Sequence, residues 1–343
     1  MNEINSYKSI IKSINENVIR QEIQKSCPVT KTELVRITSL SFPTVSRIVD
    51  ELESTGELLP AGLDDSTGGR RAQAYSVNPD YAVSLSMYFE RSALRCLISN
   101  VVGERIGQSE YQLQHEDDIQ ELDQPLDSLL KAHPNIRSIA IGVPSGVSDG
   151  VIRFTHGHDR LADVNLKKHI REKYGVRARI ENDMSCMAYG CYMRLFHDRS
   201  TSLVCIYIGE KGIGCGACIN GGVLTGEGGF LGEIGYMPVS GPRNLGELIS
   251  DGFRGADRVD CFARLLTNIC IFLNPATIVF YESRYVRDME QIRERCQNYL
   301  PALAMPVILT SDEHQNDYEN GLVAFGTQLI SAGFKIENEY TEE

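Results

Sequence analysis

The sequence predicts an α/β protein with a winged helix-turn-helix at its N-terminus. Two observations indicate this class. Between Tyr7 and Leu52, apolar residues recur at three- and four-residue steps, which is the period of amphipathic helices. Beyond residue 80, short apolar runs typical of strands alternate with helical stretches, as in sheets covered by helices. This second region exceeds 260 residues, a length that allows two lobes with a cleft between them.

The composition indicates two or three globular domains and excludes fibrous or largely disordered classes. Of 343 residues, 42% are hydrophobic and 23% are charged. No apolar run approaches the roughly 18 residues of a membrane span, and Met1–Lys12 has no apolar signal core, so we expect a cytoplasmic protein without a membrane partner. The ten scattered cysteines predict reduced, mostly buried thiols. With a net charge of −12, any binding to nucleic acid must depend on a local patch.

Three helices are predicted in the N-terminal region. The first follows the apolar period over Tyr7–Ile23. Thr30, followed three residues later by Glu33, has the form of a capping box and predicts a second helix over Lys31–Thr38. After a short turn, the run Phe42–Leu52 predicts a third helix with a proline in its first turn. Its inner stripe consists of Val45, Ile48, Val49 and Leu52.

The second and third helices, joined by a tight turn, have the pattern of a helix-turn-helix. The third presents polar residues near its N-terminus, where a major groove can receive them: Thr44, Ser46 and Arg47. Leu58-Leu59 and the alternating segment Ala74–Val77 flank the polar loop Gly62–Arg71, which fits a hairpin, the wing. We expect Arg70 and Arg71, on its Gly-Gly turn, to contact phosphates or a narrow minor groove.

A three-helix packing or dimerisation module is the alternative interpretation of this region. Residues 1–80 hold nine Lys or Arg and eleven Asp or Glu, so the region is not basic overall. The acidic residues lie mostly in the first helix and around Asp50–Glu57, whereas Arg47, Arg70 and Arg71 are expected to cluster on one face. The pattern of helix-turn-helix and wing therefore favours DNA binding.

The turn Asn78–Asp80 marks a domain boundary, and strands and helices alternate after it. The predicted strands are Ala82–Phe89, Ala93–Ser99, Arg105–Leu113, Ser138–Val143, Arg177–Ile180, Leu203–Ile208, Gly214–Ile219, Thr277–Phe280 and Pro306–Leu309. Alternation of this kind is typical of an α/β protein.

Two strand ends carry groups suited to a ligand. Gly142–Gly146 follows a buried strand, so its backbone N–H groups can approach a polar ligand closely. Glu181–Asp183 follows the strand Val176–Ile180 and opens a helix, which places an amide and a carboxylate at a strand end facing a cleft. Asp183 can accept a hydrogen bond from a hydroxyl or act as a general base toward one. An N-cap carboxylate is the alternative, and spacing alone favours it.

A further group of segments is rich in glycine. Gly209–Gly216 and Asn220–Gly222 are consistent with turns between adjacent antiparallel strands. Among the glycines of Gly228–Tyr236, Glu233 can accept hydrogen bonds from ligand hydroxyls. Cys215–Cys218 has CxxC spacing, but its alternating apolar neighbours predict a strand rather than a redox or metal site.

Together these segments resemble the ROK family of sugar-responsive repressors and sugar kinases, and in particular its repressor branch. The resemblance covers nearly the whole chain, and the joint order and spacing of the motifs make it specific. The matching segments are Pro43–Val49, Ser66–Arg71, Gly142–Gly146, Glu181–Asp183, Gly212–Gly216, Gly232–Gly235 and Asn274–Val279. The resemblance implies a two-lobed actin-like, ribonuclease H-like fold, that of sugar kinases, with a sugar or phosphosugar bound through Asn182, Asp183 and Glu233.

The implied domains are a DNA-binding domain over residues 1–80, a first lobe over 81–197 together with 318–343, and a second lobe over 198–317 that holds the effector cleft and the dimer contact. The implied protein is a homodimeric regulator, most often a repressor, of carbohydrate-metabolism genes. Its paired heads would bind an inverted-repeat operator, and the sugar would shift the spacing of the heads.

Two departures from the family pattern bear on chemistry. ROK kinases hold ATP phosphates with an Asp-x-Gly-Gly-Thr turn, and the corresponding Tyr88–Ser92 has bulky side chains and a repelling Glu90. Asp183, at the position of the kinases' base, does not compensate for this loss. We therefore predict no kinase activity, no catalytic residue and no cofactor.

The second departure concerns the structural zinc of the family. Tyr236 stands at the position of the zinc-binding His, and Met237–Ile249 contains no cysteine, so we predict no metal. Tyr236 can still donate a hydroxyl to an effector. Two alternatives stay open: a ROK sugar kinase with an appended N-terminal domain, and a constitutive DNA-binding dimer without a sugar effector.

Overall fold

The computed structural model describes residues 2–63, 72–90, 92–114, 119–155, 161–196, 200–209, 212–255, 257–281 and 286–331. Arg70 and Arg71 of the predicted wing lie outside these residues, as do Arg91 of the predicted Tyr88–Ser92 turn and residues 332–343 of the predicted first lobe.

Three helices and a small antiparallel sheet form the N-terminal region. The helices are α1 (Asn2–Lys25), α2 (Lys31–Thr38) and α3 (Phe42–Ser54), and the strands are β1 (Val29–Thr30), β2 (Leu58–Leu63) and β3 (Gln73–Val77). The sheet order is β1-β3-β2, so β2 and β3 form the predicted antiparallel pair and β1 adds a strand that the sequence did not indicate. The buried face of α3 consists of Val45, Ile48, Val49 and Leu52, which confirms the predicted stripe. These side chains pack with Ile19 and Ile23 of α1.

A five-stranded mixed sheet follows, with the order β10-β7-β4-β5-β6. Its strands are β4 (Val83–Glu90), β5 (Ala93–Asn100), β6 (Arg105–Gln112), β7 (Ile136–Val143) and β10 (Arg177–Asn182). Helices α4 (Ile119–Ala132) and α5 (Leu166–Tyr174) bury their apolar faces in the same core as this sheet, and the hairpin β8 (Ser145–Ser148) and β9 (Val151–Thr155) lies between β7 and α5. We call this group the first lobe.

A second five-stranded sheet has the order β13-β12-β11-β16-β17. Its strands are β11 (Ser202–Gly209), β12 (Gly212–Ile219), β13 (Gly222–Val223), β16 (Thr277–Tyr281) and β17 (Val307–Ser311). Helices α7 (Leu245–Ser250), α8 (Arg258–Leu273) and α9 (Met289–Cys296) share its core, and β14 (Pro238–Ser240) pairs with β15 (Arg243–Asn244) before α7. We call this group the second lobe.

Two long helices, α6 (Asp183–Phe196) and α10 (His314–Ser331), lie between the two sheets. Their buried residues share one core with Leu97 and Ala140 of the first sheet and with Cys205 and Val279 of the second. Each sheet consists of three antiparallel strands followed by two parallel ones, so the two lobes repeat the same strand order around this helical layer.

The predicted strands after residue 80 are all present, with ends that differ by a few residues. Nine of the ten cysteines are buried, which confirms the prediction that most of them are, and Cys27 is exposed. The Cys215–Cys218 segment lies within β12 as a strand. Among the helices in the described part of the chain, none has the length and apolarity required to cross a bilayer.

Candidate functional site

The exposed face of α3 is the first candidate site. Thr44 and Arg47 stand three positions apart on the helix, and the Arg47 side chain is 51% exposed. Arg47 has one weak ion pair, with Nη1 3.4 Å from Glu51 Oε2 on the next turn. Because an exposed pair of this kind contributes little, the guanidinium is available to another partner.

Local capping fixes the orientation of this face. The predicted capping box at the start of α2 is confirmed: Thr30 Oγ1 accepts from Glu33 N, and Glu33 Oε2 accepts from Thr30 N at 2.8 Å. These hydrogen bonds hold the pKa of Glu33 below its ordinary value. Ser39 ends α2 in the left-handed conformation, and the Ser41 hydroxyl caps α3 by accepting from Thr44 N. The left-handed residue that ends α2 and the serine cap that begins α3 therefore define the turn between the two helices.

Ser46 does not share this face. Lys31 Nζ of α2 lies 3.2 Å from Ser46 Oγ, and Ser46 Oγ donates to Asp50 Oδ2 at 3.2 Å. Lys31 also pairs with Asp50, which raises the pKa of Lys31 and lowers that of Asp50. The structure therefore brings Thr44 and Arg47 together and places Ser46 against α2. Phe42, at the start of α3, is 52% exposed. The sequence did not indicate this, because phenylalanine is apolar.

The second candidate site is a cleft between the lobes with a volume of about 420 Å³. Asn182 and Asp183 lie at the end of β10, which runs parallel to β7 and is in register with it up to Val143. The carboxyl ends of parallel strands are the usual place for ligands in such sheets. The predicted residues Asn182, Asp183, Glu233 and Tyr236 all line this cleft.

Asn182 is the N-cap of α6. Its Oδ1 accepts from Met184 N at 2.9 Å and from Ser185 N at 3.2 Å, and its Nδ2 donates to Ser145 O at 3.2 Å. The amide thus joins α6 to the segment after β7. Spacing alone favoured Asp183 as the cap, but the neighbouring amide has that role, and Asp183 is the first residue of the helix.

Asp183 is a carboxylate of the cleft whose pKa is strongly shifted. Burial, with a smaller contribution from the charge of Glu233, raises its pKa to about 6, and this is the net value because hydrogen bonding from Met184 N–H, at 2.7 Å from Oδ1, opposes the shift. A carboxyl group with a pKa near neutrality can act as hydrogen-bond acceptor or donor toward a hydroxyl.

Glycines bring the elements of the cleft close together. Gly232 has φ of +93°, and a Cβ there would lie 2.0 Å from Cys215 O, so only glycine lets the Glu233 segment lie against β12. Gly216 of β12 approaches α6 equally closely, because a Cβ would lie 2.0 Å from Met184 O. The glycine-rich sequence therefore sets the distance between Asp183 and Glu233 as well as forming turns.

Aromatic side chains form much of the remaining wall. Tyr236 is 56% exposed, and its ring lies 5.4 Å from that of Phe230. Tyr88, at the end of β4, donates to Glu319 Oε1 at 2.6 Å and accepts from Gln315 Nε2 at 2.7 Å, and its ring lies 5.0 Å from that of Tyr318. The side chain of Tyr88 is thus held against α10, where it forms part of the wall of the cleft.

Several lining residues could not be found from the sequence. His314 and Gln315 come from the start of α10, and Asn244 and Glu247 come from the capping box of α7. They are far along the chain from Asp183 and carry no local motif for ligand binding. Within the described ranges, no group of three or more His, Cys, Asp or Glu side chains is arranged to hold a metal ion.

Comparisons with known proteins assign the fold. A ROK family transcriptional regulator, described as a homologue of the Escherichia coli MLC protein, superposes with a TM-score of 0.70 at 17% identity, covering 92% of this chain and 99% of that one. The ROK family glucokinase of Streptomyces griseus, in complex with glucose and AMPPNP, gives a TM-score of 0.51 at 15% identity, covering 72% of this chain and all of that one. The two lobes and their cleft thus have the sugar-kinase-like fold of ROK proteins.

The ROK family profile matches residues 103–261 of this chain. The xylose repressor of Bacillus subtilis is 26% identical over 247 residues, which is 69% of this chain and 64% of the repressor. Other xylose repressors match similarly, and the matched stretch spans 60 to 64% of the length of these relatives. The predicted resemblance to the ROK family is confirmed.

Proposed function

We propose that this protein is a DNA-binding transcriptional repressor of carbohydrate-metabolism genes, controlled by a sugar in the interlobe cleft. The observation that carries the proposal is the exposed Arg47 with the half-buried Thr44 beside it on α3, a helix that follows a capped α2 and a tight turn and precedes the β2–β3 hairpin. This order is that of a winged helix-turn-helix. Relatives named as xylose repressors, and a regulator whose fold covers 92% of the chain, support it.

In the proposed complex, α3 enters the major groove. Arg47 reads a base or contacts a phosphate, with Thr44 beside it. Arg70 and Arg71 are proposed to contact the backbone or minor groove from the segment between β2 and β3. Ser46, tied to Lys31 and Asp50, is proposed to orient α3 against α2 rather than to reach the DNA.

The proposed assembly is a homodimer on an inverted-repeat operator. One head makes few base contacts, whereas two recognition helices a helical turn apart raise both affinity and selectivity. In the proposed domain arrangement, residues 1–80 bind DNA and residues 81–197 with 318–343 form the first lobe. Residues 198–317 form the second lobe, with the effector cleft and the dimer contact. A sugar that prefers one arrangement of the lobes shifts the spacing of the heads.

The proposed sugar contacts are Asp183, Glu233 and Tyr236. The carboxylates of Asp183 and Glu233 accept hydrogen bonds from sugar hydroxyls, and the Tyr236 hydroxyl can donate one. The side-chain oxygen of Asn182 already accepts hydrogen bonds as the cap of α6, so the main role proposed for Asn182 is to hold Asp183 in place. Its remaining side-chain N–H can donate to the ligand.

DNA selected from a random pool by the wild-type protein provides the test. In gel shifts, Arg47→Ala is expected to weaken binding to the selected sequence about tenfold or more and to relax preference at one base. Arg153→Ala is the matched control, because Arg153 is 47% exposed, also has one ion pair, and lies on β9 of the first lobe. Equal affinity of both variants and wild type would contradict the proposal.

A sugar kinase is the second candidate, favoured by the pKa of Asp183 near 6, which suits a general base. The fixed Tyr88 side chain, and Glu90 at the end of β4, oppose ATP phosphates at that hairpin. Incubation with ATP, magnesium and a panel of hexoses distinguishes a sugar kinase from a repressor without kinase activity. Formation of phosphosugar that is abolished in Asp183→Asn would establish the kinase.

A further inference from the structure

The first turn of α3 carries an exposed aromatic ring. Phe42 is the first residue of the helix and is 52% exposed, and the neighbouring Pro43 is exposed as well. Single exposed apolar residues are common on protein surfaces. The significant feature of Phe42 is therefore its position, at the N-terminal end of the proposed recognition helix.

The start of α3 does not depend on Phe42 for its stability. Ser41 caps the helix. Leu40 and Val45 occupy the two positions of a hydrophobic staple, N′ and N4, and both belong to the core of the N-terminal region. Within the part of the chain that the structure describes, Phe42 is not among the side chains packed in that core. The ring thus stays in solvent although the apolar contacts of this helix end are already made.

Helix geometry directs this ring toward whatever meets the N-terminal end of α3. The Cα–Cβ bonds of an α-helix tilt toward its N-terminus, so a side chain in the first turn extends past the start of the helix. Recognition helices contact base edges with their N-terminal residues. In the proposed complex, Phe42 therefore enters the major groove ahead of Arg47.

The polar groups of the same turn already have partners within it. Thr44 Oγ1 lies 2.8 Å from Ser41 Oγ, and Ser41 Oγ also accepts from Thr44 N. Thr44 is half-buried, whereas Phe42, Pro43 and Arg47 are exposed. The N-terminal end of α3 therefore presents an apolar surface, which the guanidinium follows one turn later.

The major groove offers one base group that matches an apolar surface. Thymine presents its C5-methyl group there, whereas the other groups that distinguish the bases are hydrogen-bond donors and acceptors. A phenyl ring against a donor or acceptor removes that group from water without a partner, which is unfavourable. Against a methyl group, the ring buries apolar surface on both sides of the contact, which is favourable.

We infer that Phe42 specifies a thymine in each operator half-site by packing its ring against the C5-methyl group of that base. This inference rests on the proposed function and names a base that α3 recognises. Arg47 follows Phe42 by five residues, so the two side chains act at different positions of the half-site.

Uracil, which is thymine without the C5-methyl group, provides the test. The full wild-type chain selects DNA from a random pool, and each thymine of the selected sequence is then replaced by uracil, in both half-sites together. In gel shifts, one such replacement is expected to weaken wild-type binding at least about fivefold, because two buried methyl groups are lost. Phe42→Ala is expected to bind the thymine and uracil forms equally, and to lose the preference for thymine at that position in its own selection.

Ile106→Ala is the matched control, because Ile106 is 55% exposed and lies on β6 of the first lobe. It is expected to discriminate between thymine and uracil as wild type does. Phe42→Leu, which keeps an apolar side chain, is expected to retain part of the discrimination. Each measurement compares two DNAs on one protein, so a variant that folds less completely still gives the same ratio of affinities.

The outcomes separate this inference from the function on which it rests. Wild-type binding that depends on Arg47 but tolerates uracil at every thymine, or a selected sequence without thymine, overturns the inference and leaves the repressor. Sensitivity to uracil that persists unchanged in Phe42→Ala removes the methyl contact from Phe42 and also overturns the inference. A chain that selects no DNA sequence overturns both the inference and the proposed function.

Discussion

Arg194 of α6 donates two hydrogen bonds to Asp317 of α10, with Nε and Nη2 each 2.7 Å from a carboxylate oxygen. The Asp317 side chain is fully buried, and it accepts a third hydrogen bond from Tyr281 Oη of β16 at 3.0 Å. The pair therefore joins the two helices between the lobes to the end of a strand of the second sheet. The carboxylate raises the pKa of Arg194 well above its ordinary value.

Removal of this guanidinium should destabilise the lobes strongly. Arg194→Met leaves Asp317 buried with one hydroxyl partner, and an uncompensated buried charge costs about 3–5 kcal/mol. We expect the unfolding midpoint in urea to fall accordingly. Arg153→Met, which breaks the exposed pair with Asp163, should change stability by less than about 1 kcal/mol. Equal losses of stability in the two variants would contradict the prediction that the buried ion pair contributes more than the exposed one.

The contact between α6 and α10 depends on Gly190 and Gly321. A Cβ on Gly321 would lie 1.9 Å from Cys186 O, and one on Gly190 would lie 1.9 Å from Asp317 O. Gly321→Ala should therefore destabilise by more than about 2 kcal/mol, even though alanine favours a helix by about 1 kcal/mol. Thermal unfolding measures this, with Gly228→Ala as control because a Cβ there meets nothing within 4 Å. A stabilised Gly321→Ala would contradict the packing.

Gly232 controls the position of Glu233 in the cleft. With φ of +93° and a Cβ that would lie 2.0 Å from Cys215 O, Gly232→Ala must move the backbone before Glu233. We expect it to abolish the thermal stabilisation by sugar and to keep DNA affinity within about twofold. Gly241→Ala is the matched control, since its φ is +57° but its Cβ would be in open space. Sugar stabilisation that survives in Gly232→Ala would remove Glu233 from the site.

The raised pKa of Asp183 makes a prediction about pH. Because its folded pKa is about 6 and its ordinary value is 3.8, the folded state holds the proton more tightly than the unfolded state. Stability from this group is therefore lost as pH rises from about 4 to about 6. Asp183→Asn should lose this dependence and be more stable than wild type at pH 7 by about 3 kcal/mol. Asp163→Asn, at an exposed residue, is the control for urea unfolding at pH 4.5 and 7. Parallel profiles of wild type and Asp183→Asn would refute the assignment.

The sequence was sufficient where signals are local. The capping box of Thr30 and Glu33, the inner stripe of α3 and the strand over Arg177–Ile180, which the structure extends to Asn182, all depend on residues close to one another in the chain. Predictions of that kind were confirmed because capping and periodicity act over a few residues.

Long-range contacts lay beyond sequence reasoning. The bond from Lys31 to Ser46, which removes Ser46 from the exposed face, joins two helices. His314 and Gln315 reach the cleft only because α10 packs between the sheets. Gly216 was predicted at the end of a glycine-rich turn and within the strand Gly214–Ile219, but its close approach to α6 is a role that only the packed structure defines.

The distribution of thiols allows one cysteine to be labelled selectively. Nine cysteines are buried, and burial raises the pKa of most of them, to about 12 for Cys96 and Cys215, so they are poor nucleophiles at pH 7. Cys27, in the segment between α1 and α2, is the exposed one. A maleimide dye should therefore attach once per chain, at Cys27 in the N-terminal region, and test the proposed binding of DNA and its proposed release by sugar through fluorescence anisotropy, without any mutation.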